Sequence, residues 1–439
     1  MTKHQDLYRS RLTSAELALR DLPKRCTVLL GMHAAQPPAL VRALADRAKA
    51  GDLDEALVYY MHATPATIEA LIRLDLMGVI KLYPFFLGTG ERGLIRQLNE
   101  SSRKMVHFVP NSFSEIPRIV RERPPFDIFL LQVAPMDRGG WFSFGASGAY
   151  SLAGIERANR IVVEVNPNMP RTHGTGIVHV SQVAAIIEHA SDIPLSEGKT
   201  PTNIDRKIAA QVLPMIKDGA CVQFGVGGVP NIIAGQLTDR KDLGVHTELM
   251  SDGIASLIAC GAVTNRHKTI DRGKSVFNTA FGTAVTYDVI NDNASVECRM
   301  ADYVNDPRVI GQNDNVVSVN AMIEVDLTGQ VNAEFLATHE YGGAGGQLDF
   351  VKGASYSRGG LSFIVGSSTA AHGKASRIVP KLQGPATDAR IDTQYIVTEH
   401  GICNLRGMSS DERAHALISL ADPAFRDELN AAAREMHLI

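Results

Sequence analysis

Cysteine and tryptophan are scarce in this chain, with five and one among 439 residues. Cys26, Cys221, Cys260, Cys298 and Cys403 stand far apart and show no metal-ligand spacing. That excludes a zinc ribbon and a disulfide-stapled fold, and it fits reduced thiols in the cytoplasm. Cys26 and Cys221 lie in apolar, strand-like contexts and read as core rather than as nucleophiles. Long hydrophobic runs are also missing. The longest candidates, such as Phe126 to Val133, have strand length and fall short of the roughly 18–20 residues of a membrane span. The segment Met1 to Asp6 lacks the apolar centre of a secretory signal. Charge of one sign is not in excess: the net charge is −3, which gives no reason to expect nucleic acid or an anionic membrane as partner.

What is present is an ordinary globular composition, 45% hydrophobic and 21% charged, ample for more than one core. The length suggests two or three domains. Apolar runs of strand length alternate with stretches of helical period. Cys26 to Met32, Ala56 to Met61, Ile128 to Val133 and Arg160 to Val165 read as strands, and Pro37 to Ala45 and Ser151 to Ala158 as helices. This alternation predicts an α/β protein with mainly parallel sheets. The polar, Pro-containing stretch Ser191 to Thr202 reads as an interdomain linker. It divides an N-terminal α/β domain, residues 1–190, from a C-terminal one, residues 203–439. Both halves have α/β character, without a convincing sequence repeat. The charged, helix-prone tail from Ser409 to Ile439 is expected to cover the second sheet.

The second half carries the candidate chemistry. Ala220 to Phe224 reads as a strand running into Gly225-Val226-Gly227-Gly228-Val229-Pro230, with a helix over Pro230 to Leu237. A further strand ends at Glu248, in Gly244-Val245-His246-Thr247-Glu248-Leu249-Met250-Ser251-Asp252-Gly253. If these strands are parallel, the glycine loop and Glu248 share the carboxyl edge of one sheet, where open α/β sheets place their sites. A second glycine loop, Tyr341-Gly342-Gly343-Ala344-Gly345-Gly346-Gln347, lies downstream. One carboxylate with two glycine-rich backbone loops is what covalent carboxylate catalysis requires. Singly these signals are weak, since a glutamate at a strand end is more often a solvated surface residue. A dinucleotide fingerprint is the other reading of Gly225 to Gly228, but it needs glycine where Pro230 stands. His246 falls on the same strand face as Glu248. A structural or substrate-shaping role is favoured for it, on the reasoning that the nucleophile is already ionised and needs no base.

An ordered series of motifs then carries a resemblance. It comprises Phe85-Phe86, Gly90-Glu91-Arg92, His107-Phe108-Val109-Pro110, Glu115-Ile116-Pro117, Glu164-Val165-Asn166 and His179-Val180-Ser181 in the first half. In the second half it comprises His246-Thr247-Glu248, Asp302 to Pro307, Val325 to Val331, Gly345 to Phe350, and Val397-Thr398-Glu399-His400-Gly401 through Leu405-Arg406-Gly407. Over nearly its whole length the chain resembles the class I CoA-transferases of the acetyl-CoA hydrolase/transferase family, the 4-hydroxybutyrate CoA-transferases in particular. The resemblance implies two similar open α/β domains with the active site between them. It implies that Glu248 is the nucleophile, and that Gly225, Val226, Gly227, Gly228 and Val229 form a loop with CoA contacts and an oxyanion N–H. Gly346 would give a second oxyanion N–H and Asn305 would lie near the site. Arg358 stands where some relatives have a CoA-contacting lysine, and a guanidinium is not equivalent to an ammonium. The implied chemistry is ping-pong transfer of CoA from an acyl-CoA to a small carboxylic acid through a glutamyl-CoA thioester. Coenzyme A is a substrate, and no metal or permanently bound cofactor is implied. Family members are commonly homodimers or homotetramers. A hydrolase of the same family and a non-catalytic CoA-binding protein are the alternatives. His33, His62, Arg92 and Arg171 are candidates to recognise a second carboxylate, which sets succinate and itaconate beside 4-hydroxybutyrate, butyrate and acetate.

Overall fold

The computed structural model describes residues 3–98, 104–196, 200–337 and 339–439. The chain divides into two units. The first holds Met1–Ser196, Asn278–Ala280 and Ile290–Tyr303, and the second the remainder. The main division thus falls inside the polar stretch read as a linker. Two short segments assigned by sequence to the second domain belong to the first unit. There, Gly148 donates its N–H to Asn278 at 2.9 Å, and Ala301 donates to Ala149 at 2.8 Å.

The first unit is built on six strands, in chain order Arg25–Leu30, Glu55–Tyr60, Ile80–Pro84, Ile128–Val133, Ile161–Val165 and Ala185–Glu188. Their order across the sheet is 3-2-1-4-5-6, and every pairing is parallel. Parallel strands are covered on both faces and so read as continuous apolar runs; all six residues of Ile128–Val133 are buried. Pro38–Lys49 is the first crossover helix, with proline in its first turn. Its first N–H groups find a partner far along the chain. Glu164, fully buried in the fifth strand, accepts from Ala39 at 3.0 Å and from Leu40 at 3.1 Å, and contacts His189 Nδ1 at 2.8 Å.

The second unit repeats this order. Its strands are Cys221–Phe224, Gly244–Met250, Ser275–Ala280 (whose last three residues count with the first unit), Val316–Ala321, Leu361–Val365 and Tyr395–Thr398, again 3-2-1-4-5-6 across the sheet. An antiparallel strand, Gly401–Asn404, borders Tyr395–Thr398. The repeat extends to single bonds. In the first unit Gly31 follows the first strand and donates to Leu130 of the fourth at 3.0 Å; in the second, Gly225 follows the first strand and donates to Val319 of the fourth at 2.8 Å. The tail forms helices Ser410–Leu420 and Arg426–Glu435, whose Ala414, Leu417, Leu429 and Ala433 join Val351, Ile364 and Ile396 in one core. Burial pushes the Cys26 and Cys221 thiols up to about 11, so neither is a thiolate nucleophile at neutral pH.

Candidate active site

Glu248 lies on Gly244–Met250, which continues two residues beyond it instead of ending there as the sequence suggested. The strand pairs in parallel with Cys221–Phe224, so Glu248 and the Gly225 turn share the carboxyl side of the sheet. Of the seven strand residues, six are buried and only Glu248 is partly open. Glu248 is thus the one partly exposed residue of an otherwise sealed strand.

One donor holds it: Asn305, fully buried, gives its Nδ2–H to Glu248 Oε2 at 2.6 Å. The Gly346 backbone lies against the same oxygen and favours its ionised form. At Gly346 there is no room for a side chain: a Cβ would stand 1.9 Å from Glu248 Oε2 and 2.1 Å from Asn305 Nδ2. The preceding Gly345 has a φ of +55°, the left-handed region that favours glycine. Burial nevertheless dominates the electrostatics. It pushes the Glu248 carboxyl up to about 8, and the Asp349 carboxylate adds to the rise, while Asn305 and Gly346 oppose it. The expectation of a nucleophile already ionised is thereby corrected, because the resting group holds its proton well above the usual carboxylate range. His246, on the same strand, is held by the backbone. It is buried, and its Nε2 lies 2.9 Å from the Val304 carbonyl, an acceptor that fixes Nε2 as the protonated nitrogen. It thereby braces the residue next to Asn305.

The first glycine loop is arranged differently from the second. The Gly225 N–H is used by Val319, so it is no oxyanion donor. A Cβ on Gly225 would meet Asn320 Oδ1 at 2.5 Å, which explains the glycine as close packing of two strands. Around Gly227 the nearest atoms belong to Pro230, and around Gly228 to Asp205, not to Glu248. Gly227 caps the helix Gly228–Gly235, which starts two residues earlier than the sequence suggested. Val226 is exposed and Val229 buried. Sequence reasoning missed three neighbours. Gln223 and Asn320 exchange amide hydrogen bonds of 3.1 and 3.3 Å behind Gly225, and Asp349 bears on Glu248. The available signal was polarity: Gln223 and Asn320 interrupt strands that are otherwise short apolar runs.

Arg358 departs from the site. Helix Gln347–Tyr356 starts beside Gly346 and runs back to the opposite edge of the sheet. Arg358 follows it, three residues before the strand Leu361–Val365 begins. Ten helical residues rise about 15 Å, so Arg358 sits at the amino edge while Glu248 is at the carboxyl side. It is exposed and paired with Asp314, its Nε lying 3.3 Å from Oδ1.

In the first unit, His33 and His62 follow adjacent parallel strands, both in the left-handed region with φ of 45° and 51°. Gln36 ties their turns together, donating to Met61 O at 3.1 Å and His62 O at 3.3 Å. The His62 ring lies 4.4 Å from that of Phe86. Burial lowers the two imidazoles to about 4 and about 3, so both are neutral at physiological pH. Arg92 donates to Leu87 O at 2.7 Å, and Arg171 forms an ion pair with Asp137 at 2.7 Å.

Comparison with known proteins shows the family. Residues 1–195 match the acetyl-CoA hydrolase/transferase N-terminal domain and residues 282–433 the C-terminal domain of the same family. The chain belongs to the acetyl-CoA hydrolase/transferase family and is a CoA-transferase. It is 46% identical over 336 residues to the succinyl-CoA:cyclohexane-1-carboxylate CoA transferase of Geobacter metallireducens, covering 76% of each chain. It is 36% identical over 431 residues to the 4-hydroxybutyrate coenzyme A transferase of Clostridium kluyveri, covering 97% of each. Among solved structures, RipA from Yersinia pestis superposes with a TM-score of 0.97 at 45% identity, over 100% of both chains.

Proposed function

We propose that the protein moves CoA from an acyl-CoA to a short-chain monocarboxylic acid through a thioester on Glu248. The observation that carries this reading is Glu248 itself: the one partly open residue of its strand, held by the Asn305 amide with the Gly346 backbone against its carboxyl. The ionised Glu248 oxygen attacks the thioester carbonyl carbon; the C–S bond breaks and CoA leaves as thiolate with the electron pair. The product is an acyl-glutamyl anhydride. The thiolate then attacks Cδ of Glu248, the C–O bond breaks, and the donor acid leaves as carboxylate. An acceptor carboxylate reverses the two steps and regenerates Glu248. Charge is conserved throughout and no step consumes a proton, but the raised Glu248 pKa means that its own proton must leave first. Each attack builds an oxyanion, which is what fixed N–H donors stabilise.

The relatives named for cyclohexane-1-carboxylate and 4-hydroxybutyrate support a monocarboxylic acceptor, ahead of succinate or itaconate. The test is borohydride trapping after incubation with butyryl-CoA, read by peptide mass spectrometry, with an acceptor panel alongside. A glutamyl thioester at Glu248 is reduced to the alcohol, and monocarboxylates outpace dicarboxylates as acceptors. Acid release that no acceptor accelerates would instead indicate a hydrolase.

A further inference from the structure

We propose that Asp388 is a positioning residue for catalysis, acting through Gln347 to hold the Gly346 backbone against the Glu248 carboxyl. The inference rests on the Glu248 reading and adds a residue that no sequence motif indicated. Gln347 is the first residue of helix Gln347–Tyr356, directly after Gly346. Its Nε2–H donates to Asp388 Oδ2 at 2.6 Å, and both residues are buried. Beside it, the turn has the helix bond from the Phe350 N–H to Gly346 O at 3.1 Å. Gly345 adopts a left-handed φ, and the Gln347 N–H reaches Ala344 O only at 3.4 Å.

Asp388, in contrast, is anchored. Its N–H and C=O both pair with Val331, at 3.1 and 3.0 Å. Val331 belongs to the core that carries Leu327, Ile378 and Leu405. The side-chain bond thus links the glycine turn to the packed core of the unit. An oxyanion donor must be held to a few tenths of an ångström to act fully. A glycine pair without such a tether fluctuates over more than that.

The Asp388 carboxyl also carries a cost that packing alone does not explain. Its Oδ1 is buried with no hydrogen-bond partner among the described residues. Asp392, Glu334 and Lys352 face it; burial, the largest influence, pushes it up to about 7. Natural cores retain such unsatisfied groups chiefly where they serve a site.

The conservative replacement separates positioning from stability. In Asp388→Asn the amide oxygen still accepts from Gln347, while its N–H₂ occupies the partnerless spot and lowers stability. In Asp388→Ala the tether is gone. We expect Asp388→Asn to melt below the wild type yet keep kcat within about threefold. Asp388→Ala and Gln347→Ala should each lose about 10²-fold in kcat with KM for acyl-CoA little changed, and the double variant should be no slower than either. Rates are measured on folded protein, and thioester trapping at Glu248 is run in parallel. The inference is overturned if kcat of Asp388→Ala stays near wild type, if the two single losses multiply, or if kcat tracks melting temperature across the set. Wild-type protein that traps nothing at Glu248 overturns the underlying reading as well. Wild-type trapping with unimpaired trapping in Asp388→Ala overturns the positioning role alone.

Discussion

At the scale of single residues, the site turns on space and on proton affinity. Gly346 is required by distance, not by backbone angle: its φ of −96° suits any residue, but a Cβ would occupy the position of the Glu248 carboxylate. Gly346→Ala should therefore lose about 10²–10³ in kcat, the usual effect of displacing one oxyanion donor. Steady-state kinetics on folded protein checks this, and a loss under threefold would show that the N–H is not used. The Glu248 carboxyl must be ionised to attack, and burial raises it to about 8. The rate of single-turnover thioester formation should accordingly climb with pH above the ordinary carboxylate range, between pH 5 and 8. A profile flat from pH 5 upward would mean that the carboxyl ionises normally in the working enzyme.

At the scale of elements, motif residues far from the chemistry act as clamps. Glu164 and Asn166 lie at the carboxyl end of one first-unit strand. Glu164 caps the helix Pro38–Lys49 from inside the sheet. Asn166 donates to Ser191 O at 2.9 Å and to Gln132 Oε1 at 3.1 Å, tying three connections together. Asp326 closes its own turn, accepting from Thr328 N–H at 2.9 Å and from Gln330 Nε2 at 2.8 Å. Such residues are retained for geometry. Glu164→Ala leaves two helix N–H groups without their buried carboxylate partner and removes the contact to His189, so it should destabilise the protein by about 3 kcal/mol. Urea denaturation measures this; a change below about 1 kcal/mol would mean that water replaces the carboxylate without cost.

At the scale of the whole molecule, the buried Glu248 carboxyl is held against stability. The folded protein binds the Glu248 proton up to about pH 8, whereas an exposed glutamate releases it near 4.5. Between those values the native state holds more protons than the unfolded chain, so stability falls as pH rises through that window. Asp388 adds a loss of the same sign between 3.8 and about 7. Glutamine at 248 cannot titrate. Glu248→Gln should be inactive and should melt above the wild type by a margin that widens from pH 5 to pH 8. The Asp388 contribution is common to both proteins and cancels in the difference. Thermal melts at the two pH values decide it, and a margin independent of pH would place the ionisation of Glu248 outside the window. The exchange of stability for an active group is a general feature of catalytic sites.

The sequence by itself determined the strands, because buried parallel strands must be apolar on both faces, and Ile128–Val133 was legible to the residue. It also determined the glutamate and the two glycine loops, since the ordered motifs are local in the chain. Strand and helix ends were less legible: Gly244–Met250 passes beyond Glu248, and the first glycine loop is already helical at Gly228. The tertiary structure alone decided the rest. The repeated 3-2-1-4-5-6 order leaves no trace in sequence because it depends on which strands pair, not on which residues recur. The partners of Glu248 lie 57 and 98 positions downstream, in Asn305 and Gly346, and their convergence is a matter of sheet topology. The same topology took the Gly225 N–H for strand pairing and carried Arg358 to the far edge. Burial, which sums over the whole fold, then set the protonation of Glu248 and of His33 and His62 in ways that no local pattern encodes.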